Sequence, residues 1–493
     1  MTDLSHLIKE KIFRTVGDTA ADMGRECYVV GGYVRDLILH RHSKDIDFVT
    51  VGSGIDLATA VAEKLGKGTS LAVYRTYGTA QVRRRGLELE FVGARKESYH
   101  RDSRNPIVED GTLEDDISRR DFTINAMAIS VTPDTYGQLI DLFDGVDDIC
   151  DRIIRTPLDP DVTFSDDPLR MMRAIRFATQ LNFTIHPDTF ASITANAQRI
   201  EIITVERIKD ELQKIMMSPK PSIGWDLLLK SGLLKIILPE LAAMQGIEVV
   251  RGHGHKDNFY HTLEVLDNVA QKSDNVWLRW AALLHDIAKP VTKRWDDKLG
   301  WTFHNHNFVG SRMVPSIFAK LKLPMGAEMK YVQKLVELHM RPIALVEDEV
   351  TDSAVRRLVN YAEGDLADLM ILARADITSK NIAKKQRFLD NFDIVEEKFA
   401  DIIAKDEDSK FRPALNGNQV MELFGLKQGK EVGFFMTSLI RATKECEIDN
   451  TPEACLAYLK ELGEANGYKP NPDFKIETTD QQTDTPCTTS PNE

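Results

Sequence analysis

A Gly-Gly turn followed closely by two aspartates strongly limits how this chain can fold. The segment CYVVGGYVRDLIL predicts an apolar strand, a turn at Gly31 and Gly32, and then a helix. KDIDFVTVG predicts a second strand soon afterwards. Because alternate residues of a strand point to the same face, Asp45 and Asp47 are expected side by side, with the apolar residues around them facing the core. The N-terminal part is therefore expected to be an α/β unit with a carboxylate pair on its sheet.

The spacing of these aspartates indicates a magnesium site. Two neighbouring carboxylates repel each other unless a cation lies between them, and Mg²⁺ prefers one or two carboxylates together with phosphate oxygens. The helix N-terminus after Gly32 attracts phosphate, and Arg35 follows one turn later, where it can reach a triphosphate. An Asp-x-Asp pair alone is more often a solvated strand edge. The combination of GG-x-x-R-D with D-x-D is far more specific, and it predicts phosphoryl transfer.

A third metal-binding carboxylate is expected on a later strand, in LELEFVGAR. Glu88 and Glu90 share one face of that strand, and either residue can complete a site with Asp45 and Asp47. We favour Glu90 because an apolar run follows it. An exposed strand face is an equally good interpretation of each glutamate.

The rest of the chain is expected to form further domains. A chain of 493 residues exceeds one ordinary domain, so roughly two to four are expected. Two or three antiparallel strands are predicted in LAVYRTYGTAQVRRRGLELEFVGAR, and from about residue 150 onward the pattern is almost wholly helical. The final segment, ETTDQQTDTPCTTSPNE, is polar and lacks aromatic residues, which predicts disorder.

Composition and charge narrow the classes of function. No apolar run of about 18 residues is present, so no membrane-spanning helix is expected. The five cysteines are scattered without a CxxC pair, which fits a reducing cytoplasm and gives no zinc framework. The net charge of −13 opposes an RNA partner, yet arginines cluster between residues 83 and 120, and the local charge decides binding. That cluster is equally consistent with an ordinary solvated surface.

A second group of polar residues is predicted on one helix, in DDPLRMMRAIRF. Asp167 and Arg170 are three residues apart and are expected on one helix face, which Arg173 and Arg176 extend. Cytosine and adenine each present an amino donor beside a ring-nitrogen acceptor, and a carboxylate with a guanidinium matches both. Uracil and guanine present the opposite polarity, so this pair would accept C and A and reject U and G. Ordinary ion pairs on a helix surface are the alternative, which this segment alone would favour.

A third group, of histidines and aspartates, lies in the helical half of the chain. An adjacent His-Asp pair inside an apolar helix, as in AALLHDIAKP, is costly unless it binds something. Imidazole and carboxylate ligands together suit a transition metal such as Mn, Ni, Co or Fe better than Mg²⁺ alone. A degenerate site kept as a scaffold is the alternative. The expected ligands, in chain order, are His261, His285, Asp286, His306, His339 and Asp376.

Several segments resemble a nucleotidyltransferase family that contains tRNA CCA-adding enzymes and bacterial poly(A) polymerases. They are GGYVRDLILHRHSKDIDFV, EDDISRRDFTINAMA, FSDDPLRMMRAIRFATQLNF, VERIKDEL and SGLLKIILPEL, and they cover roughly residues 25–245. One position departs from the family pattern, with Asp166 where Glu is more common. The order of the histidines and aspartates, with LLHDIAKP at its centre, resembles the HD phosphohydrolase superfamily.

The resemblance implies an α+β fold of the class II form. A polymerase-β-like head, with a mixed sheet and helices, would be followed by an all-α neck, an HD body and a tail. Arg120 and Asp121, in RRDFTINA, would belong to the nucleotide site, Arg120 meeting phosphate and Asp121 a ribose hydroxyl or a loop amide, whereas Asn125 is expected to be a structural cap. The expected boundaries are 1–150 for the head, 151–248 for the neck with its nucleotide-selecting helix, 249–395 for the HD domain, 396–475 for the helical tail and 476–493 for a disordered end.

The implied activity is template-independent addition of CCA to the 3′ end of tRNA from CTP and ATP, in the cytoplasm, with an HD phosphohydrolase activity beside it. Poly(A) polymerases and enzymes that add only CC or only A keep similar head motifs, so these alternatives stay open. A different class is an HD phosphohydrolase whose head only binds RNA or nucleotide. The intact Asp45, Asp47, Asp167 and Arg170 argue against that class. The sequence does not indicate an oligomeric state.

Overall fold

A computed structural model defines the fold and divides the chain into two compact units. The first unit comprises Met1–Glu349 and Asn360–Phe392, and the second comprises Val350–Val359 and Asp393–Glu493. The C-terminal segment 476–493, for which the sequence predicts disorder, lies outside the described residues. The structure describes residues 2–98, 107–251, 253–254, 257–347, 352–378, 381–410, 412–444, 447–472 and 474–475.

The first unit begins with a seven-stranded sheet and the helices around it. The strand order is β3-β4-β5-β2-β1-β8-β9, in which β2 and β5 are parallel and the other neighbours are antiparallel. The expected mixed sheet with helices is therefore confirmed. In chain order the elements are α1 (Lys11–Asp22), β1 (Cys27–Val30), α2 (Gly32–Ile38), β2 (Asp45–Thr50), α3 (Gly54–Leu65), β3 (Ser70–Tyr74), β4 (Thr79–Arg84), β5 (Leu87–Gly93), β6 (Arg95–Ser98), β7 (Ile107–Asp110), α4 (Leu113–Ser118), β8 (Met127–Ser130), β9 (Leu139–Asp141) and α5 (Gly145–Asp151).

The alternating polarity of β2 determines how this strand sits in the sheet. Ile46 and Phe48 are buried, whereas Asp45 on the opposite face is exposed. The Phe48 ring stacks on that of Phe91 in β5, with 5.1 Å between ring centroids. Burying each of these rings contributes about 1.5–3 kcal/mol. The apolar face thereby fixes the register of β2 against β5, and that register also positions the carboxylates of the other face.

The remainder of the first unit is mainly helical, as the sequence predicts. Its strands are short pairs, β10 with β11, β12 with β13 and β14 with β15. In chain order the elements are β10 (Ile153–Ile154), α6 (Pro160–Asp166), α7 (Leu169–Leu181), β11 (Thr184–Ile185), α8 (Pro187–Asn196), α9 (Val205–Met216), α10 (Ser222–Lys230), α11 (Leu233–Ile237), α12 (Pro239–Ala242), β12 (Val249–Val250), β13 (His253–Gly254), α13 (Asn258–Ala270), α14 (Val276–Leu284), α15 (Lys289–Thr292), β14 (Arg294–Asp296), β15 (Gly300–Thr302), α16 (His306–Lys320), α17 (Ala327–Leu338), α18 (Met340–Glu347), α19 (Asp352–Ala362), which runs on from the second unit, and α20 (Leu366–Asp376).

The second unit is helical and has its own small core. Phe424 and Phe435 stack at 4.5 Å between ring centroids, and Val420, Leu423 and Leu439 are buried around them. Within the described part of the chain, no helix has the length and apolar character needed to cross a membrane. The helices are α21 (Ile382–Lys410), which starts in the first unit, α22 (Gly417–Phe424), α23 (Lys430–Lys444) and α24 (Pro452–Ala465).

Candidate active site and metal centre

Four carboxylates lie on one face of the head sheet. Asp45 and Asp47 share a face of β2, and the parallel register places Asp45 beside Glu88 and Asp47 beside Glu90. Burial and the neighbouring Glu90 raise the pKa of Asp47 to about 6, an effect that Arg120 opposes. A cation relieves the repulsion that raises such a pKa. The set of oxygen donors therefore suits a divalent metal ion such as Mg²⁺.

Glu88 and Glu90, the two candidates for a third carboxylate, have different surroundings. Glu88 pairs with Arg83 at 3.2 Å and accepts a hydrogen bond from Gln81 at 3.2 Å, so its charge is offset within the sheet. Glu90 lies beside Asp47 and acts on its pKa. Glu90 is thus the better placed of the two to share a cation with Asp47, and its role stays a prediction.

Gly31 forms the tight turn between β1 and α2. Its φ of 71° is one that residues with a side chain rarely adopt. A Cβ atom at Gly31 would lie 2.9 Å from a guanidinium nitrogen of Arg120 and 3.8 Å from a carboxylate oxygen of Asp47. Arg120 therefore lies over the turn, beside the carboxylate cluster. The N–H of Gly31 donates to the Met127 carbonyl at 3.2 Å, so this N–H is already used within the fold rather than exposed for phosphate.

Arg35 lies inside the fold and not at the surface. It donates to Asn125 Oδ1 at 2.7 Å and to Asp36 at 2.9 Å, and only 8% of the residue is exposed. Asn125 in turn donates to Asp121 at 3.0 Å. The structure therefore engages Arg35 with partners that its spacing after Gly32 does not reveal, and its expected contact with a triphosphate stays a prediction. Asn125 links two buried charged groups, which agrees with its expected structural role.

Asp121 is buried against α7. Arg173 approaches its carboxylate to 2.6 Å. Burial raises the pKa of Asp121, but Arg173, Asn125 and Arg170 outweigh it and lower that pKa to about 2. The carboxylate is therefore ionised at neutral pH, and it joins the segment after α4 to α7.

Arg176 occupies a second buried ion pair between neck helices. It lies 2.8 Å from Glu211 of α9 and 4.0 Å from the centre of the Phe177 ring. Burial lowers the pKa of Arg176 to about 10, although Glu211 opposes this. The sequence predicts that Arg173 and Arg176 extend the polar face of one helix. In the structure they have different anionic partners, Asp121 for Arg173 and Glu211 for Arg176.

The expected placement of Asp167 and Arg170 on one helix is wrong. Pro168 separates them, because α7 begins only at Leu169 and Asp167 has an extended backbone after the end of α6, with φ −137° and ψ 99°. The residue before a proline is driven out of the helical conformation. The Asp167 carboxylate instead accepts from the Leu169 N–H at 3.1 Å, and its other oxygen pairs with Arg207 at 3.3 Å.

Arg170 nevertheless stays close to Asp167. Its N–H donates to the Asp167 carbonyl at 2.9 Å, and its guanidinium donates to the backbone carbonyl of Arg119 at 2.7 Å. The apolar residues of α7 pack inward, and the following are all buried: Leu169, Met172, Ile175 and Phe177.

Asp116 is a buried residue of this site that the sequence analysis did not single out. It lies in α4 and accepts hydrogen bonds from Arg119 at 3.1 Å and from Arg120 at 3.2 and 2.8 Å. Burial raises the pKa of Asp116, but the two arginines outweigh it and lower that pKa. The available signal is the spacing in EDDISRR, where the carboxylate precedes the two arginines by three and four residues.

The expected His/Asp ligands converge at a second centre in the same unit. His285 and Asp286 follow α14 directly and are almost completely buried. The other four ligands come from four further helices, so the chain gathers one centre from distant segments. They are His261 within α13, His306 at the start of α16, His339 after α17 and Asp376 at the end of α20.

Asp286 lies between two sets of histidines. Its Oδ2 is 3.2 Å from Nε2 of His285 and 3.6 Å from Nε2 of His261. Its Oδ1 is 3.2 Å from Nε2 of His306 and 3.9 Å from Nε2 of His339. The ligand atoms of each set, together with Asp286, lie within 4.8 Å of one another. Each set could hold a metal ion, and Asp286 belongs to both sets.

Asp376 and a lysine complete the charges of the centre. Asp376 lies 2.9 Å from His261 and 3.6 Å from His285, and Lys289 lies 2.5 Å from Asp286. Burial lowers the pKa of His285, but Asp286 and Asp376 outweigh it and raise that pKa to about 10. The protonated His285 and the Lys289 ammonium thus offset the negative charges of the buried Asp286 and Asp376. Metal cations would supply positive charge at the same place.

The histidines are oriented through their other ring nitrogen. Three of the four Nδ1 atoms lie against backbone carbonyls, which only accept hydrogen bonds, so these nitrogens carry the proton and leave Nε2 free to bind a metal. The partners are the Ala282 carbonyl for His285 at 2.7 Å, the Phe303 carbonyl for His306 at 2.8 Å, the Val336 carbonyl for His339 at 2.7 Å and the Thr378 hydroxyl for His261 at 2.9 Å.

The fold and the site together define a class of protein, a nucleotidyltransferase whose head is joined to an HD domain. Three family models match the chain in this order. The model described as "Poly A polymerase head domain" matches residues 27–155. "Probable RNA and SrmB- binding site of polymerase A" matches residues 182–245, and "HD domain" matches residues 258–381.

Similar proteins of known name extend over most of the chain. The A-adding tRNA nucleotidyltransferase of Deinococcus radiodurans is 31% identical over 447 residues, which cover 88% of this chain and 95% of that protein. The Multifunctional CCA protein of Shewanella frigidimarina is 33% identical over 309 residues, 60% of this chain and 70% of that protein. The CCA-adding enzyme of a Geobacillus species is 29% identical over 450 residues, 90% and 96% of the two chains. The chain belongs to the tRNA nucleotidyltransferase family.

Solved structures share the fold. The Thermotoga maritima CCA-adding enzyme complexed with tRNA has a TM-score of 0.58 at 22% identity, covering 94% of this chain and 99% of that one. A tRNA nucleotidyltransferase complexed with a primer tRNA and an incoming ATP analog has a TM-score of 0.55 at 24% identity, covering 78% and 98%. At such identities the likeness establishes the fold alone.

Proposed function

We propose that this protein adds C, C and A to the 3′ end of tRNA, using CTP and ATP without a nucleic-acid template. The observation that carries the proposal is the meeting of Asp45, Asp47 and Glu90 beside the Gly31 turn, with Arg120 over that turn. A carboxylate cluster next to a cationic group is the arrangement that nucleotidyl transfer requires. Named relatives that add CCA or A support the choice of tRNA as the acceptor.

In the proposed reaction, the 3′-hydroxyl of tRNA attacks the α-phosphate of the nucleotide, and pyrophosphate leaves. Mg²⁺, held by Asp45 and Asp47 with Glu90, would supply the activation of the hydroxyl and offset the charge that develops on the phosphate. Arg120 would orient the triphosphate at the Gly31–Gly32 turn. Arg35, Asp121, Arg173 and Arg176 belong to the proposed nucleotide site as well, mainly by holding its walls in place.

Asp167 and Arg170 are the proposed base-selecting pair. Their side chains project from adjoining elements, with Asp167 before α7 and Arg170 within it. The Asp167 carboxylate would accept from the exocyclic amino group of C or A, and the Arg170 guanidinium would donate to the ring nitrogen. The contacts of Asp167 with Arg207 and of Arg170 with the Arg119 carbonyl would then be exchanged for contacts with the base.

The test supplies purified protein with tRNA lacking its CCA end, with tRNA ending in CC, and with each labelled nucleotide in turn. Sequential addition of C, C and A is expected, and Asp47→Ala is expected to abolish it while tRNA binding persists. Addition of A to the CC-ending tRNA alone would reassign the protein as an A-adding enzyme. Long A tracts would make it a poly(A) polymerase, and no addition by the unaltered protein would overturn the proposal.

We propose a second activity, metal-dependent hydrolysis of phosphate esters at the HD centre. The observation in its favour is the convergence of His261, His285, His306 and His339 on Asp286, with Nε2 facing the carboxylate in each case. Transition-metal ions such as Mn²⁺, Ni²⁺, Co²⁺ or Fe²⁺ fit this mixed nitrogen and oxygen set, and they would supply an activated water. Metal content of the protein, with hydrolysis of phosphomonoesters and 2′,3′-cyclic nucleotides, tests the assignment.

The cytoplasm is the proposed location, because the proposed acceptor is tRNA. Three cysteines in the described ranges, Cys27, Cys150 and Cys455, are free, which fits a reducing compartment.

A further inference from the structure

We propose that Asp116 is a positioning residue that sets, at the same time, the arginine over the phosphate turn and the arginine that selects the base. The inference rests on the proposed nucleotide addition and assigns a role within it. Asp116 touches neither the nucleotide nor the carboxylate cluster in this proposal. It acts through Arg119 and Arg120.

The carboxylate of Asp116 is held rigidly at the centre of this arrangement. Asp116 has no exposed surface, and the next residue, Ile117, is buried in a core cluster with Val30 and Ala126. Val30 directly precedes the Gly31 turn, so α4 is packed against the same strand end that carries the site. A carboxylate anchored in this way offers fixed acceptors to both neighbouring guanidinium groups.

One branch leads from Asp116 to the carboxylate cluster. Arg120 donates through Nε and a terminal nitrogen to one oxygen of Asp116, at 3.2 and 2.8 Å. Its other terminal nitrogen is the atom 2.9 Å from the Cβ position of Gly31, and a carboxylate oxygen of Asp47 lies 3.8 Å from the same position. The hydrogen bonds with Asp116 therefore fix the orientation of Arg120 at the Gly31 turn.

The other branch leads to base selection. Arg119 donates to the second oxygen of Asp116, at 3.1 Å from Nε, and ends α4. The backbone carbonyl of Arg119 accepts from the Arg170 guanidinium at 2.7 Å. Because the side chain of Arg119 is held by Asp116, its carbonyl is presented to Arg170 in one position. A single buried carboxylate thus aligns the two ends of the nucleotide site.

The test compares Asp116→Asn with Glu114→Gln, which removes the same charge from an exposed position of α4. In Asp116→Asn the amide N–H groups face one guanidinium and the remaining oxygen is no longer charged, so one branch loses its acceptor and the other is weakened. The expected result is a CTP KM raised, and the preference for CTP over UTP lowered, each by about tenfold or more, as for the loss of a charged hydrogen bond. Glu114→Gln is expected to match the unaltered protein in both quantities.

A third variant separates positioning from folding. Arg119→Met leaves the contacts of Arg120 with Asp116 in place and releases only the second branch. It is expected to lower discrimination against UTP and GTP more than it lowers CTP addition. If Asp116→Asn does not fold, Arg119→Met alone tests the positioning role of Asp116.

The outcomes separate this inference from the proposed function. If the unaltered protein adds no nucleotide to tRNA, the proposed function fails and takes the inference with it. If the unaltered protein adds C and A selectively and each of the variants Asp116→Asn and Arg119→Met that folds keeps the same discrimination, only the inference is overturned. Loosened discrimination in either folded variant, with Glu114→Gln unchanged, supports it.

Discussion

Asp47 on β2 and Glu90 on β5 are direct partners in a parallel strand pair, although α3, β3 and β4 separate them along the chain. Their side chains point to the same face because partners in register share a face. Burial and this pairing together raise the pKa of Asp47 to about 6 from an ordinary value of 3.8. The metal-free head therefore contains a carboxylate whose ionisation opposes folding.

The first prediction concerns this cost. Between about pH 4 and pH 6 the folded protein holds a proton on Asp47 that the unfolded chain has lost. The free energy of unfolding of the unaltered protein, compared with that of a variant that is neutral at this position, therefore falls as the pH rises through about 6. At pH 7.5 in a chelator, Asp47→Asn is therefore expected to unfold at a higher temperature than the unaltered protein. The corresponding gain in the free energy of unfolding is at most about 3 kcal/mol. The difference should shrink towards pH 4.

Magnesium provides the control for that measurement. It should raise the unfolding temperature of the unaltered protein at pH 7.5 and leave that of Asp47→Asn almost unchanged. A variant that is less stable than the unaltered protein in chelator at pH 7.5 would contradict the assignment of a strained carboxylate cluster.

The second prediction concerns the Gly31 turn. Gly66, at the end of α3, has nearly the same backbone conformation, with φ 72° against 71°, but a Cβ there would meet nothing within 4 Å. Backbone strain should lower the free energy of unfolding of Gly31→Ala and of Gly66→Ala by about 1–3 kcal/mol each, and both variants should therefore unfold at lower temperatures. Only Gly31→Ala displaces Arg120, so only this variant should lose most nucleotide addition. Equal activities in the two variants would show that the position of Arg120 is unimportant.

The third prediction concerns base selection by Arg170. Arg170→Ala is expected to weaken incorporation of CTP and ATP by about tenfold or more and to loosen the rejection of UTP and GTP. Arg312→Ala, at an exposed position of α16, removes an arginine away from the proposed nucleotide site and should change neither quantity. Unchanged discrimination over all four nucleotides in Arg170→Ala would place selection elsewhere.

The fourth prediction is that the two proposed activities are separable. His285→Ala with Asp286→Ala should remove bound Mn²⁺, Ni²⁺ or Co²⁺ and any phosphate-ester hydrolysis, yet leave addition to tRNA within a few-fold of normal. Some loss of stability is expected because both side chains are buried. His304→Ala, an exposed histidine two residues before His306, is the matched control and should keep the metal.

Elemental analysis decides the fourth prediction. If the unaltered protein, purified without chelator and offered these ions, holds no metal that the double variant lacks, the HD centre is a scaffold and the second activity should be dropped.

The sequence predicted best where local periodicity determines the structure. The two-residue repeat of β2 correctly placed Asp45 and Asp47 opposite the buried Ile46 and Phe48, because strand geometry leaves a residue only two faces. The order of histidines and aspartates likewise identified groups that the structure brings together. The preference for Glu90 over Glu88 stays a prediction. The structure distinguishes the two by their surroundings, because Arg83 and Gln81 engage Glu88, and the apolar run after Glu90 does not bear on this difference.

The sequence predicted least where a partner comes from a distant segment. The spacing of Arg35 suggests contact with a triphosphate, and it does not reveal the hydrogen bond to Asn125, ninety residues away, in the interior. Asp167 was misplaced for a local reason, because the three-residue spacing to Arg170 was read as helical across Pro168. The spacing of Asp116 to Arg119 and Arg120 indicates that these side chains can pair, but the burial of Asp116 depends on how α4 packs on the sheet.

The parallel pairing of β2 with β5 also has a consequence for the order of events during synthesis. A nascent chain that has left the ribosome only as far as β2 has both aspartates but not the neighbouring strand that holds Glu90, and β4 must lie beside β5 before the sheet is continuous. A metal ion that needs Glu90 as well as the two aspartates could therefore bind the head only after long-range closure of the sheet. Insertions between α3 and β4 lengthen the loop that must close, while a shift of β5 by one residue would turn Glu90 away from Asp47 and leave Leu89 in its place.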